Sequence, residues 1–323
     1  VSEAGGVDYA RLAACVRVAV KYLDRVIDIN FYPTDEAGAS NRKWRPVGLG
    51  LMGLQDVFFT LKLPFDSPEA LAVSTRIQEE IYYAALSTSC ELAREFGYHE
   101  GYKETRAAGG KLQFDLWGIA PATSKRWDTL RDQIAESGLR NSLMIAIAPT
   151  ATIASIAGAY ECTEPQVSNL FKRETLSGDF LQINHYLVAD LKRLGLWTDE
   201  IRTKVKRAEG SIQTIEEIPE DLRKVYRTAW ELPQKALIDL AAARSPYIDQ
   251  SQSLNLFLET PTIGKLSSMY LYAWQRGVKT TYYLRSRPAT RIAQVTVQQK
   301  EKVSDVEAVA CSLENPEACE ACQ

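Results

Sequence analysis

The sequence lacks several features that would place it in a specialised class of protein. It has no apolar run long enough to span a bilayer, so we expect no membrane segment. Its 38 basic and 41 acidic residues give a net charge of -3, with no basic excess to follow a nucleic-acid backbone. Its start, VSEAGGVDYARL, has neither the basic head nor the apolar core of a secretory signal. We therefore expect a cytoplasmic protein that binds neither membrane nor nucleic acid.

Cysteine and histidine are also scarce, with six and two residues in the chain. Cys15, Cys90 and Cys162 lie singly in apolar surroundings, which favours small core residues over ligands. The other three cysteines crowd together near the C-terminus, which is not the pattern of a secreted disulfide framework.

What is present is ordinary for a globular protein. The 323 residues are 46% hydrophobic and 24% charged, enough for a sizeable core in one large domain or two. The sequence contains no internal repeat. Because it opens at Val1 and goes straight into a helical pattern, we expect a processed product or part of a longer polypeptide.

Periodicity and capping signals predict an α/β protein that is rich in helix. A strand, a helix and another strand over 251–284, with a short turn before the last strand, indicate a parallel crossover unit. From Pro288 onward the composition turns polar, and we expect a mobile tail. The predicted helices cover 8–29, 68–96, 127–137, 185–194, 219–231, 233–243 and 262–276; the predicted strands cover 141–149, 251–258 and 278–284; and the predicted connections cover 32–46 and 101–113.

The stretch GLGLMG, with Gly48, Gly50 and Gly53, fits the G-x-G-x-x-G pattern of dinucleotide-binding turns. That site needs a strand before the glycines and an acidic residue at the end of a second strand. Here a polar loop precedes the glycines and a helical stretch contains them. Close packing of a helix on small residues is therefore favoured over a nucleotide site.

The stretch APTATIASIAG, residues 148–158, follows a predicted buried strand that Pro149 closes. Its small and hydroxyl residues lead into a possible helix start, and such a turn aims backbone N–H groups and hydroxyls at one point. An anion, most often phosphate, suits that point. Without GK[ST] it is not a Walker loop, and a threonine cap on an ordinary helix explains the pattern equally well.

The stretch CEAC, Cys319 to Cys322, lies one residue before the end of the chain. Such a pair can be half of a zinc site or a redox pair. Zinc needs four ligands, Cys311 would be only a third, and both histidines lie far away in sequence. Thiol–disulfide exchange is favoured because a mobile arm can visit two places. An inert tail remains open.

Tyr282 and Tyr283 are adjacent in the predicted strand 278–284. Neighbours on a regular strand point to opposite faces. The chain has 15 tyrosines, so their adjacency alone favours ordinary strand packing over chemistry.

Together these stretches closely resemble the C-terminal part of the large (α) subunit of class I ribonucleotide reductase. The resemblance is spread over nearly the whole chain. The stretches that carry it are RPVGLGLMGLQDVF, LRNSLMIAIAPTATIASIAG, EPQVSNLFKRETLSGDF, IDQSQSLNLFL, GVKTTYYLR and CSLENPEACEAC.

The resemblance implies a fold and a division of the chain. The family forms a ten-stranded α/β barrel of two five-stranded halves with a central finger loop. Residues 1–287 would supply the later part of that barrel, with many surrounding helices, and residues 288–323 a flexible tail. Because a barrel cut in two exposes strand edges, we expect low solubility without the missing part.

The resemblance also implies roles for particular residues. Tyr282 and Tyr283 match paired tyrosines that relay a radical to the active-site cysteine, so we expect their rings to be in contact and the turn 149–155 to face the same cavity. Cys319 and Cys322 match a tail dithiol that re-reduces the active-site disulfide and is then reduced by thioredoxin or glutaredoxin. The residues expected to line the substrate-diphosphate site, largely through backbone N–H groups, are Thr150, Ala151, Thr152 and Ile153.

Other parts of the implied reaction lie outside this sequence. The family's radical cysteine, its finger-loop Asn and Glu, and its reducing cysteine pair precede the helix that matches residues 8–29. The expected partners are a ribonucleoside diphosphate, the N-terminal portion of the α subunit, a second α subunit, and a β subunit that carries the metal-radical centre. We expect neither a metal nor a cofactor in this chain.

The sequence thus predicts the C-terminal part of a ribonucleoside-diphosphate reductase, which makes deoxyribonucleotides for DNA synthesis. It would be active only with the missing portion and a β subunit. The alternative is a non-catalytic interaction module that keeps only the β-subunit docking surface or the phosphate loop. A third interpretation is a small zinc-binding protein with a terminal metal knuckle.

Overall fold

The computed structural model of the chain describes residues 5–175 and 178–287, and for 171–182 only the backbone. The expected mobile tail, 288–323, lies outside the described residues, and so do Cys311, Cys319 and Cys322.

The described residues form mostly helices. Three short 3₁₀ turns span Tyr102–Glu104, Ala107–Gly109 and Ser245–Tyr247. The strands are β1 Leu170–Thr175, β2 Gly178–Ile183, β3 Leu256–Leu258 and β4 Leu284–Ser286. The helices are α1 Tyr9–Ile29, α2 Asp35–Trp44, α3 Leu54–Leu61, α4 Pro68–Phe96, α5 Gln113–Leu116, α6 Ser124–Ser137, α7 Ala151–Ala157, α8 His185–Arg193, α9 Asp199–Arg207, α10 Glu220–Val225, α11 Gln234–Arg244 and α12 Ile263–Gln275.

The long predicted helices are confirmed, and side-chain caps explain their starts. The Asp8 carboxylate accepts the N–H of Arg11 at the start of α1, and the Ser67 hydroxyl accepts the N–H of Ala70 at the start of α4. The Thr262 hydroxyl caps α12 in the same way. α6 begins three residues before its predicted start, and α10 is shorter than predicted.

α4 lies at the centre of the larger core. α1, α6 and α11 all pack against it. Most of its residues are buried from Ser74 to Ala93, including polar ones such as Ser74 and Gln78. A second, smaller core lies among α8, α9 and α10, and it contacts the rest through Phe59 of α3, which stacks on Tyr226.

Four extended segments run parallel, side by side, in chain order. The first contains Leu49, the second Ile145 and Ile147, the third Gln252 and β3, and the fourth is β4. Leu49 pairs with Ile145, Ile147 pairs with Gln252, and β3 pairs with β4, each in parallel. Helices lie between successive segments, so the predicted parallel crossover is confirmed. The predicted buried strand 141–149 is only partly buried, with Met144, Ile145 and Ile147 in the core, and its pairing is limited to these isolated bridges. The ten strands expected for the whole barrel are not confirmed, since the described residues contain only four regular strands.

Some sequence predictions are wrong. The predicted loop 32–46 contains α2, whose first turn Thr34 caps and whose last turn carries Arg42 and Lys43. The antiparallel pair β1–β2 and the helix α9 were not predicted. The connection 101–113 is not fully exposed, since Tyr102 and Leu112 are buried. The predicted strand 278–284 becomes regular only at Leu284.

Among the described residues, no helix is both long and apolar enough to cross a membrane.

Candidate functional site

The turn after the second parallel segment leads through Thr150 into the start of α7. Thr150 takes a left-handed backbone conformation, with φ of 56°, and α7 begins at the next residue. The Thr150 hydroxyl does not cap α7; it accepts the N–H of Cys162 at 2.8 Å instead. The threonine-cap interpretation of this turn is therefore wrong. No described side chain caps the first turn of α7.

The same turn borders a cavity of about 740 Å³. Of the four residues expected to line a diphosphate site, Ala151 and Thr152 line this cavity, whereas Thr150 and Ile153 do not. The other lining residues come mainly from α3, the loop after α7 and the start of α8, and they include Asp56, Ser155, Tyr160, Glu161, Asn184 and His185.

The charges around this cavity decide how it could hold an anion. Asp56 has a pKa raised by burial, partly offset by the Tyr160 N–H that donates to its carboxylate at 2.6 Å and by nearby His185. Among the described lining residues there is no lysine or arginine. An anion here would therefore depend on the uncapped backbone N–H groups of α7 rather than on a side-chain cation.

The two adjacent tyrosines form a pair. Their ring centroids are 4.0 Å apart, and the Tyr282 hydroxyl donates to the Tyr283 hydroxyl at 3.0 Å. This hydrogen bond raises the pKa of Tyr282. Both side chains are about half exposed, at 47% and 52%. The predicted ring contact is confirmed, although neighbours on a regular strand would diverge.

The backbone explains how neighbouring tyrosines face the same way. The N–H of Tyr282 donates to Leu254 O, while the N–H of Leu256 donates to Tyr283 O. In a regular parallel ladder one residue would make both bonds. Here two residues, Tyr282 and Tyr283, lie opposite Asn255 alone. This arrangement is a β-bulge, which breaks the alternation of side chains.

The loop 160–166 links the turn before α7 to the bulge. Cys162 donates its N–H to Thr150 at one end of the loop. At the other end Glu164 accepts two hydrogen bonds from Asn255, whose side-chain oxygen accepts the N–H of Tyr283. Neither tyrosine is among the described residues that line the 740 Å³ cavity, so a cavity shared with the turn is not confirmed.

The cysteines of the described chain do not form a reactive centre. Cys162 is buried, and burial raises its pKa to about 11, which keeps it a thiol. Cys90 is buried as expected, but the prediction of a core position for Cys15 is wrong, since its side chain is exposed on α1. Within 5–175 and 178–287, no group of acidic, histidine or cysteine side chains could hold a metal ion.

The glycine stretch serves packing, but of a different kind from that expected. A Cβ atom on Gly50 would lie 2.6 Å from the carbonyl oxygen of Ala146. Gly50 therefore lets the first two parallel segments approach each other, and a helix is not what packs on it. Gly53 has φ of 78° and begins α3.

Sequence reasoning did not single out Asp249, Glu164 or Asn255. Asp249 accepts the N–H groups of Met144 and Ile145, both at 2.9 Å. Glu164 and Asn255 lie 91 residues apart, and no periodic pattern joins them. The only available signal was their position inside stretches that resemble a known family.

The sequence matches the model of a family described as "Ribonucleotide reductase, barrel domain" over residues 1–284. It is 43% identical to the ribonucleoside-diphosphate reductase large subunit of Danio rerio, covering 98% of this chain and 42% of that protein. It is 46% identical to the Caenorhabditis elegans large subunit, covering 90% of this chain and 37% of that protein.

The structure is similar to a solved one. The alpha subunit of a class Id ribonucleotide reductase from Actinobacillus ureae superposes with a TM-score of 0.67 at 27% identity, covering 84% of this chain and 46% of that chain. The chain thus spans less than half the length of the relatives that it matches.

Proposed function

The chain belongs to the ribonucleotide reductase barrel-domain family, and from this premise we propose that it is the C-terminal part of a class I large (α) subunit. The whole enzyme would reduce ribonucleoside diphosphates to deoxyribonucleoside diphosphates. The observation that carries this proposal is the contacting pair Tyr282 and Tyr283, because the family relays a radical through paired tyrosines and the two phenols here are hydrogen-bonded.

The pair suits a relay for a chemical reason. A phenoxyl radical on one ring can take one electron and one proton from the other phenol, which then becomes the radical. Because donor and acceptor are both tyrosines, the transfer is close to thermoneutral. The hydrogen bond of 3.0 Å between the hydroxyls supplies a short path for the proton. In the last step the radical would pass to a cysteine of the missing portion, whose thiol would give up one electron and one proton to the tyrosyl radical.

In this proposal the turn before α7 holds the substrate diphosphate. Thr150, Ala151, Thr152 and Ile153 would surround the phosphates. Backbone N–H groups of the uncapped first turn would donate to the phosphate oxygens. Small and apolar side chains are compatible with such a site because the backbone does the binding.

Several partners complete the reaction in this proposal. A β subunit would generate the radical at its own metal centre, and the N-terminal portion of α would bring the finger loop and the reducing cysteines. Cys319 and Cys322 would return electrons from thioredoxin or glutaredoxin to the active site. A second α subunit would complete a dimer.

Reconstitution tests the proposal directly. This chain is combined with an N-terminal α portion and a β subunit, and reduction of ribonucleoside diphosphates is measured. We expect activity in the complete mixture and a loss of more than about 100-fold in Tyr282→Phe and Tyr283→Phe, since phenylalanine cannot be oxidised at an accessible potential.

Tyr98→Phe is the matched control, because Tyr98 is a part-exposed tyrosine that packs on Tyr102 in another region. It should keep full activity. An active mixture in which Tyr283→Phe turns over normally would contradict the relay. A complete mixture that binds the β subunit without turnover would favour the non-catalytic interaction module.

A further inference from the structure

The contact between Tyr282 and Tyr283 depends on a backbone feature that ordinary strand pairing does not supply. The bulge leaves one extra backbone donor, the N–H of Tyr283, with no carbonyl opposite it. The side-chain oxygen of Asn255 accepts that N–H at 3.1 Å. Without an acceptor, a donor at this position would favour a return to regular pairing.

The orientation of the Asn255 amide is fixed by Glu164. One carboxylate oxygen of Glu164 accepts the Asn255 side-chain NH₂ at 2.8 Å, and the other accepts the Asn255 backbone N–H at 3.1 Å. With the NH₂ group held by the carboxylate, the amide oxygen must point to Tyr283. We call Glu164 and Asn255 the clasp.

The clasp is buried, whereas the tyrosines that it holds are half exposed. Glu164 is 6% exposed and Asn255 is 3% exposed. The charges of Arg244 and Arg285 act on the Glu164 carboxylate, while its direct hydrogen bonds come from Asn255. Burial raises the pKa of Glu164, and the hydrogen bonds from Asn255 and the charge of Arg285 partly offset this effect.

We propose that Glu164 and Asn255 are positioning residues for the tyrosine pair. They hold the bulge that puts both phenols on one face. This proposal rests on the proposed function, because the relay gives the geometry its purpose. Neither residue exchanges an electron or a proton with the radical. They act by keeping the two hydroxyl groups within hydrogen-bonding distance.

The first experiment measures the phenol contact without any turnover. In the 323-residue chain with ¹³C-labelled tyrosine, the ring carbon that bears the hydroxyl group is followed by NMR through a pH titration, and the signal of Tyr282 is assigned with Tyr282→Phe. In the native chain Tyr282 should titrate above a free tyrosine. In Asn255→Ala, and in the milder variant Glu164→Gln, the pKa of Tyr282 should fall back to that of a free tyrosine.

Gln234→Ala supplies a matched control. The side-chain oxygen of Gln234, on α11, accepts the N–H of Phe257 at 2.7 Å, so this change takes a comparable amide acceptor away from β3 at a point beyond the bulge. The titration of Tyr282 should not change in this variant. An equal change in Gln234→Ala and Asn255→Ala would mean general loosening of β3 and would overturn the proposal.

A swap of the two side chains provides a rescue. In Asn255→Asp the two carboxylates face each other, and the contact between the tyrosines should be lost. In the double variant Glu164→Gln, Asn255→Asp the new amide can donate to the new carboxylate, which can still accept the N–H of Tyr283. The titration of Tyr282 should return to its native position only in the double variant.

The second experiment uses the reconstituted reductase. Asn255→Ala should lower turnover about tenfold or more with an unchanged KM for the nucleotide, because the relay and not the substrate site is disturbed. The double variant should recover turnover, and Gln234→Ala should keep it. Normal turnover in Asn255→Ala would overturn the proposal.

The two experiments separate the clasp from the proposed function. If the native mixture is inactive, the proposed function fails, while the NMR titration still supports or contradicts the clasp as the support of the tyrosine contact. If the native mixture is active and Asn255→Ala loses turnover with an unchanged Tyr282 titration, the clasp proposal is overturned.

Discussion

At the scale of single residues, Asp249 shows how one half-buried carboxylate can hold two parallel segments together. Its two oxygens accept the N–H groups of Met144 and Ile145 in the neighbouring segment. The ammonium of Lys279 lies close by and donates to the carbonyl oxygens of Ile248 and Gln250. Burial raises the pKa of Asp249 to about 6, although these N–H groups and Lys279 favour its ionised form.

The raised pKa predicts a pH dependence of stability. The folded chain holds the Asp249 proton more tightly than the unfolded chain. The contribution of this group to the free energy of unfolding is therefore greatest below the unfolded pKa of 3.8 and is lost as the pH rises through about 6. The shift corresponds to a loss on the order of 3 kcal/mol. Measured against Asp249→Asn, the native chain should lose unfolding free energy between about pH 4 and about pH 8.

Denaturant titrations of both proteins at several pH values provide the measurement. The other carboxylates titrate in both chains, so they cancel in the difference. At low pH the folded carboxyl is protonated, so it and the asparagine amide each offer one carbonyl oxygen to the two N–H groups, and the two stabilities should lie close together. A stability difference that stays constant across this pH range would show that Asp249 does not titrate within it.

Predictions for single residues are correct where their contacts come from residues nearby in sequence, and wrong where the contacts come from distant parts of the chain. Cys90 was placed correctly in the core, but Cys15 lies on the exposed side of α1, because apolar neighbours in sequence need not share its face. The contact between Tyr282 and Tyr283 was predicted from resemblance, not from strand periodicity. Its cause, the acceptor on Asn255, depends on a fold contact that no local pattern contains.

At the scale of elements, Gly50 predicts how closely the first two parallel segments must approach. Gly50→Ala would place a methyl group 2.6 Å from the carbonyl oxygen of Ala146, a rigid backbone atom. The segments would have to separate and weaken the pairing of Leu49 with Ile145. We expect a loss of about 3 kcal/mol in the free energy of unfolding, measured by denaturant titration.

Gly109→Ala is the control for this change. A Cβ atom on Gly109 would meet nothing within 4 Å. Its effect should stay within about 0.5 kcal/mol. Equal stabilities for the two variants would mean that the segments at Gly50 can separate freely, contrary to the close packing seen here.

Helices were predicted better than strands, and their start signals explain why. Ser67 and Thr262 cap their helices within one turn, so the information is local. α2 shows the limit, because Thr34 caps it equally well but its short polar sequence predicts a loop. The parallel segments depend on pairing between residues about 100 positions apart, so their bounds could not be predicted from the sequence alone.

At the scale of the whole molecule, the chain belongs to a family of barrel domains and spans less than half the length of its relatives. It covers 42% of the length of the Danio rerio protein. The family and the α/β class could be recognised from the sequence because the shared stretches are spread over nearly the whole chain. The ten-stranded barrel stays a prediction, since the described residues contain four regular strands.

One surface of α1 carries exposed apolar side chains. Val18, Tyr22, Val26 and Ile29 follow one another at intervals of four, four and three residues, so they share one helix face. Their side chains are 54%, 71%, 48% and 67% exposed, while buried residues such as Val16 and Val20 contribute to the core. We call these four residues the α1 stripe. Under the proposed function, the occupant that we expect for it is the N-terminal portion of the α subunit.

The last prediction concerns self-association. Because the α1 stripe exposes contiguous apolar area, the chain alone should associate in a concentration-dependent way, as light scattering would show. Tyr22→Lys combined with Ile29→Lys should reduce this association without lowering the free energy of unfolding, whereas Ile156→Lys, which changes an 81% exposed residue on α7, should not. Adding the N-terminal portion should suppress association of the native chain and bind the double variant less well. A native chain that stays monomeric at high concentration would contradict this prediction, as would equal effects of the α1 and α7 changes.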